Sequence, residues 1–300
     1  MKKLLLTGIN GQVGNALQVS LAGQFEVVGL TREQLDLTRP DEIRRVISEL
    51  KPEIIINPAA YTAVDKAESE QELAYAINAT APQIFAEEAM KLKAALVHFS
   101  TDYVYDGNKP TPYTELDEVN PLSIYGKSKL AGEDAIRKVG LPHLILRTSW
   151  VYSDYGKNFL KTILRLGAER DSLRIVSDQC GAPTSAYSIA AGVVQLLNAW
   201  DVSDSDHTGV YHYTNQGSAS WYEFACQIVK EYEVLSSQNG LPKLKIKPEH
   251  IAPISTSEYP TPAVRPINSR LDNTKLNDTF NVSLPLWQDA LKVVMTHLFK

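Results

Sequence analysis

The first twenty residues constrain this chain most. Lys2-Lys3-Leu4-Leu5-Leu6 is a short apolar run that reads as a strand. Gly8-Ile9-Asn10-Gly11-Gln12-Val13-Gly14 follows at once and opens an amphipathic stretch reaching about Leu21. Strand, glycine-rich turn and helix is the layout in which a pyrophosphate sits on the backbone N–H groups of a helix N-terminus. Gly8, Gly11 and Gly14 permit the tight turn and the close backbone approach. A glycine-rich turn alone is weak evidence; between a strand and a helix it predicts a dinucleotide-binding βαβ unit.

The pattern continues. Phe25–Leu30 reads as the second strand, and Pro40 starts a helix to Leu50. Glu53–Asn57 is the third strand, with Pro58-Ala59-Ala60-Tyr61-Thr62 at its C-terminal end, where ligands sit in open parallel sheets. Small residues there let a cofactor lie against the backbone. A helix over Ala81–Met90 leads into Ala94–Phe99, a buried strand. The order βαβαβαβ predicts an α/β doubly wound parallel sheet with right-handed crossovers. After the second strand, an enzyme using NAD often has an acidic residue for the adenosine ribose. This chain has Thr31-Arg32, and an arginine pairs with a 2′-phosphate. NADPH is therefore the expected cofactor, with NADH possible. The competing reading leaves Arg32 pointing to solvent.

Chemistry concentrates in Ser100–Lys129. The fourth strand ends in Ser100-Thr101-Asp102-Tyr103, and Tyr125-Gly126-Lys127-Ser128-Lys129 begins a helix. Tyr125 and Lys129 are i and i+4, on one helix face. A phenol beside an ammonium makes a proton donor, because the cation favours the phenolate and draws the tyrosine pKa towards neutrality. Thr101 supplies a second hydroxyl for the same reacting oxygen. YxxxK arises by chance in many helices, usually as a solvated pair. Here it follows a strand ending in Ser-Thr and a dinucleotide fingerprint. The Pro-, Gly- and acid-rich loop from Asp106 to Ser123 is expected to border the site.

Beyond Arg147 the pattern changes. Thr148-Ser149-Trp150 ends another strand, and Trp150 reads either as core packing or as the floor of a sugar pocket. Helices are expected from Asn158 to Ala168, from about Pro183 to Trp200 and from Ser220 to about Val234. Strands are expected at Leu173–Val176 and Gly209–Thr214. Residues 1–155 then form a Rossmann-like domain. Residues 156–300 form mainly a smaller substrate-binding lobe, with elements crossing back to the sheet. A formal charge of −5 gives no reason to expect nucleic-acid binding, and no apolar run approaches the ~20 residues of a membrane span. Lys2-Lys3 precedes too short an apolar run for a secretory leader, and Cys180 and Cys226 are too few for a disulfide framework or a zinc site. A cytoplasmic protein with no metal ligands is expected.

The glycine spacing and the Thr101, Tyr125, Lys129 set resemble the extended short-chain dehydrogenase/reductase family. Within it, NPAAYTAVDKAE, STDYVYDG, YGKSKLAGE, LRTSWVYS, GAPTSA and YPTPAVRPINSRL are similar to the dTDP-4-dehydrorhamnose reductase family over nearly the whole chain. The resemblance implies reduction of the C4 ketone of a dTDP-sugar in dTDP-rhamnose and cell-surface polysaccharide synthesis. It makes Tyr125 the proton donor, Lys129 the anchor of the nicotinamide ribose and Thr101 the third member. It puts Gly11, Gln12, Val13, Asp36, Leu37, Ala60, Tyr61 and Thr62 at the cofactor, and Thr101, Asp102 and Trp150 at the substrate. One departure stands out. Some members carry a glutamate two residues after the last fingerprint glycine, part of a magnesium site at a dimer interface; here that residue is Ala16. A monomer or weak homodimer is the resulting expectation. Another nucleotide-sugar enzyme, an epimerase or a 4,6-dehydratase, shares the fold and the Tyr-Lys pair, although Asp102-Tyr103 supplies one acid where a dehydratase commonly has two. A non-catalytic subunit, like the regulatory subunit of methionine adenosyltransferase, is the other alternative, and the intact triad argues against it.

Overall fold

A computed structural model describes residues 1–299. Six parallel strands form the central sheet: β1 (Lys3–Thr7), β2 (Glu26–Leu30), β3 (Ile54–Asn57), β4 (Ala95–Thr101), β5 (His143–Thr148) and β6 (Gly209–His212). Their order is β6-β5-β4-β3-β1-β2. The order reverses at β1, next to β3, which is the switch point where an α/β sheet opens a crevice. Leu4 aligns with Ile54 and Leu5 with Ile55. Successive side chains go to opposite faces, and both faces are covered, so the strands read as unbroken apolar runs. On one face Leu4, Leu6, Ile56, Val97 and Leu146 pack with α1 (Gln12–Leu21) and α6 (Ala186–Ala199). On the other, Leu5, Ile55, Leu96 and Ile145 pack with α2 (Pro40–Leu50), α3 (Ala81–Leu92) and α4 (Ile124–Val139).

Local chemistry sets the helix ends. Pro40 fills the first turn of α2, where its missing N–H costs nothing, and Asp41 and Glu42 complement the positive end of the helix. The Ser123 hydroxyl accepts from the Gly126 N–H at 3.2 Å and caps α4, which ends at Gly140 with φ +76°. Between a short helix at Gln71–Tyr75 and α3, the chain makes one π-helical turn over Ala76–Thr80.

A second core lies beside the sheet. Its helices are α5 (Phe159–Glu169), α7 (Trp221–Asn239) and α8 (Trp287–Leu298). Ser220 and Glu223 form a reciprocal capping box at the start of α7. The expected strand at Leu173–Val176 is present but lies off the main sheet, paired in parallel with Ile251–Ile254. That partner contains Pro253, which a two-stranded edge tolerates. The strand expected over Gly209–Thr214 ends at His212 and joins the main sheet beside β5, outside α/β sequence order. Ala16 is buried between α1 and α6. Among the described residues, no helix is long and apolar enough to cross a membrane.

Candidate active site

The fingerprint turn forms a backbone cradle. Gly8 has φ +60°, and a Cβ there would lie 2.9 Å from that of Ala59. A Cβ on Gly14 would come within 2.2 Å of the Gly8 carbonyl oxygen. The Gly11 N–H donates to that same carbonyl at 2.8 Å. Only glycine fits this closeness, and the space in front of the turn is what a pyrophosphate needs. Gln12 is tied to the segment after β5: Asn158 Nδ2 donates to its Oε1 at 2.7 Å.

In front of the cradle lies a cavity of about 600 Å³. Gly8, Gly11, Gln12, Val13 and Gly14 form one end of its wall. Arg32, Asp36 and Leu37 lie beyond β2, and Ala60, Tyr61 and Thr62 lie beyond β3. Tyr125 and Lys129 complete it from α4. Every residue expected at the cofactor therefore lines one space. Arg32 is exposed at its edge. The Asp36 carboxyl accepts from the Thr38 N–H and hydroxyl, which holds its pKa below the usual carboxylate range. This cradle, a small-residue wall at strand ends and a cation at the rim fit a dinucleotide with an extra phosphate.

Thr101, Asp102 and Trp150 do not line this cavity. Thr101 ends β4; its hydroxyl donates to Asp102 Oδ1 at 3.0 Å, accepts from the Tyr103 N–H at 3.2 Å and lies beside the Tyr125 phenol. Asp102 is 2% exposed, and its Oδ2 has no hydrogen-bond partner among the described residues. Burial pushes its pKa up to about 6, against the pull of bonds from Ser269 and Thr101. Trp150 has φ +48°, and its ring stacks on Trp221 with centroids 3.5 Å apart and planes 9° from parallel. Gly181 leaves room beneath the ring, because a Cβ there would lie 2.6 Å from the indole.

The expected effect of Lys129 on Tyr125 is not what the structure shows. Burial raises the Tyr125 pKa to about 12, the nearby Thr101 hydroxyl lowers it and the nearby Asp102 charge raises it. The Lys129 ammonium is turned the other way. It donates to the Phe99 carbonyl at 2.5 Å and meets His98 Nε2 at 3.2 Å. Lys129 itself is 2% exposed; burial lowers its pKa to about 8, and Glu133, one further turn along α4, raises it. Tyr125 is thus a fully protonated phenol at neutral pH, the correct state for a proton donor. The Asp106–Ser123 loop does not line this cavity; it stacks Tyr113 on Tyr105 at 4.2 Å, binds Asn268 through the Lys109 and Thr111 carbonyls, and ends at Ser123, the cap of α4.

Two buried polar residues carry no motif that would announce them in the sequence. Asn78, on the π-turn, accepts from the Tyr61 N–H at 2.8 Å and donates to the Tyr61 carbonyl at 3.1 Å and to Ser128 Oγ at 3.0 Å. It fastens the cavity wall to α4, and π-turns recur where a helix must present such a group. His98 is fully buried in β4 beside Lys129. A single polar side chain in an otherwise apolar run is the one signal that points to it.

The RmlD substrate binding domain family matches residues 1–299. A curated dTDP-4-dehydrorhamnose reductase from Burkholderia thailandensis is 43% identical over 299 residues, 99% of each chain. Its Escherichia coli K12 counterpart is 40% identical over 300 residues, covering 99% of this chain and 98% of that one. A crystal structure of a dTDP-4-dehydrorhamnose reductase from Bacillus anthracis, in complex with NADP, superposes with a TM-score of 0.89 at 35% identity, covering 99% of both chains. Similarity sustained over the whole length of the chain, in sequence and in fold alike, makes it a member of the dTDP-4-dehydrorhamnose reductase family.

Proposed function

We propose that this protein reduces the C4 ketone of dTDP-4-dehydro-β-L-rhamnose, giving dTDP-L-rhamnose, with NADPH as reductant and NADH as a poorer substitute. The observation that carries the reading is that Tyr125 and Lys129, from the start of α4, line the same cavity as the glycine cradle. NADPH, when bound, supplies the hydride. Tyr125 donates the proton to the developing alkoxide, and its high pKa keeps that proton in place until charge appears on the substrate oxygen. Thr101 orients the Tyr125 hydroxyl and bonds the same oxygen. Lys129 has one N–H left for the ribose side of the cavity. Arg32 meets the 2′-phosphate.

For the sugar, we assign Thr101, Asp102 and Trp150. The unpartnered Oδ2 of Asp102 is placed to accept a hydrogen bond from a sugar hydroxyl. Trp150, propped by Trp221, offers an apolar face of fixed orientation. We further assign the protein as a monomer or weak homodimer. The test is loss of NADPH absorbance with the purified keto-sugar, run in parallel with NADH. Turnover with formation of dTDP-rhamnose supports the reading. Binding of NADPH without turnover, or conversion to an epimer without net oxidation, overturns it.

A further inference from the structure

Lys129 sits at the end of a buried polar chain that crosses three strands. Its ammonium meets His98 Nε2 at 3.2 Å on β4. His98 Nδ1 meets Asn57 Nδ2 at 3.1 Å on β3. Thr7 Oγ1, on β1, donates to Asn57 Oδ1 at 2.6 Å. His98 and Asn57 are fully buried and Thr7 is 2% exposed. A chain of polar groups inside an apolar sheet is costly unless every member is satisfied. We propose that His98 is a positioning residue for the reaction: it holds the Lys129 ammonium in register and, through Asn57, ties the charge on that ammonium to Thr7 at the mouth of the glycine cradle. This role rests on the functional reading above.

Donor counting fixes the arrangement. An ammonium has three N–H groups. The Phe99 carbonyl takes one and His98 Nε2 a second, which leaves the third for the cavity that Lys129 lines. A neutral imidazole has one donor and one acceptor. Burial, and then the Lys129 charge, keep His98 neutral. When Lys129 is charged, Nε2 must accept, so Nδ1 carries the ring proton and needs an acceptor. Asn57 supplies it by presenting its amide oxygen to Nδ1 and its NH₂ to Thr7 Oγ1. When Lys129 is neutral, the order reverses: Thr7 donates to Asn57 Oδ1, Asn57 Nδ2 to Nδ1, and Nε2–H to the amine. Two hydrogen-bond patterns link Lys129 to Asn57, and the charge on Lys129 selects between them. The other groups facing Lys129 do not duplicate this role. Glu133 is bound bidentately by Arg147 and also accepts from Ser100, while Tyr125 lies beside Thr101, which donates to Asp102.

The experiment reads the alkaline limb of the pH profile, both for kcat/KM and for the NADPH dissociation constant. The second titration needs no sugar, so a failed turnover assay would count against the functional reading while still testing this one. His98→Met keeps the volume and removes the acceptor, so we expect the limb to move about one pH unit lower and turnover to fall about tenfold. His98→Gln places an amide oxygen near the Nε2 position and should restore most of both. Asn57→Asp fixes an acceptor for Nδ1–H, favours charged Lys129 and should move the limb higher; it also stands as an independent test should the methionine variant not fold. If the His98→Met and Asn57→Asp limbs stay at the wild-type position, or if both move the same way, His98 is only filling space and the proposal is wrong. Equal losses in the methionine and glutamine variants would overturn it as well.

Discussion

Replacing Tyr125 with phenylalanine removes one oxygen and little else. The ring keeps its edge-on contact with Tyr103, whose centroid is 5.5 Å away. Thr101 keeps its bond to Asp102 Oδ1 and the one from the Tyr103 N–H. Folding stability should therefore change by no more than about 1 kcal/mol, the net value of one hydrogen bond. The chemical step is different. Removing a positioned general acid costs roughly 100- to 10,000-fold, equivalent to about 3–5 kcal/mol of barrier. Because burial holds the Tyr125 pKa at about 12, its protonation contributes no limb to the rate profile between about pH 6 and 9. Stopped-flow single turnovers, with NADPH bound and keto-sugar added, isolate this step from product release. The predicted variant binds NADPH normally and transfers hydride at least roughly 100-fold more slowly at every pH in that range. A single-turnover rate within a few-fold of wild type would mean that the proton comes from elsewhere, with Asp102 the next group to test.

Three other outcomes follow from the geometry. Arg32→Ala should raise KM for NADPH roughly 10- to 100-fold, the worth of a charge-assisted bond, and leave KM for NADH nearly unchanged; equal effects would mean that Arg32 does not meet the phosphate. Gly132→Ala puts a methyl group 2.1 Å from the Asn78 carbonyl oxygen, so urea unfolding should show a loss of about 1–3 kcal/mol, and an unchanged midpoint would contradict the tight π-turn contact. EDTA should change neither activity nor mass by light scattering, since the buried methyl of Ala16 cannot coordinate a cation; a dimer that dissociates on chelation and re-forms with magnesium would refute this.

The parallel sheet is legible in the sequence because its strands alternate with helices, and because strands buried on both faces spell Leu-Leu-Leu and Ile-Ile-Ile. The cofactor wall is legible because closeness demands glycine and alanine at strand ends. What escapes is what depends on distant partners. Periodicity puts Tyr125 and Lys129 on one face but does not reveal that Lys129 turns to His98, a residue of the neighbouring strand. The sign of the Tyr125 shift then follows from burial rather than from the cation. Trp150 stays between two readings in the sequence because Trp221, which covers its ring, is supplied by a helix from the other core. The π-turn at Ala76–Thr80 carries no local signal: alanines and one asparagine suit an ordinary helix equally well.

β6 gives the architecture a further consequence. It arrives late in the chain, yet it covers the outer side of β5, pairing Val210 with Ile145 and Tyr211 with Leu146. Without it, β5 becomes a bare rim whose side chains are apolar on both surfaces, a template for edge-to-edge association. A fragment ending at residue 155 is therefore expected in the pellet, not the supernatant, even though it contains the glycine cradle, Tyr125 and Lys129. The nucleotide module is not portable. Its sheet is closed off only when Gly209–His212 has been made, beyond the first two-thirds of the polypeptide.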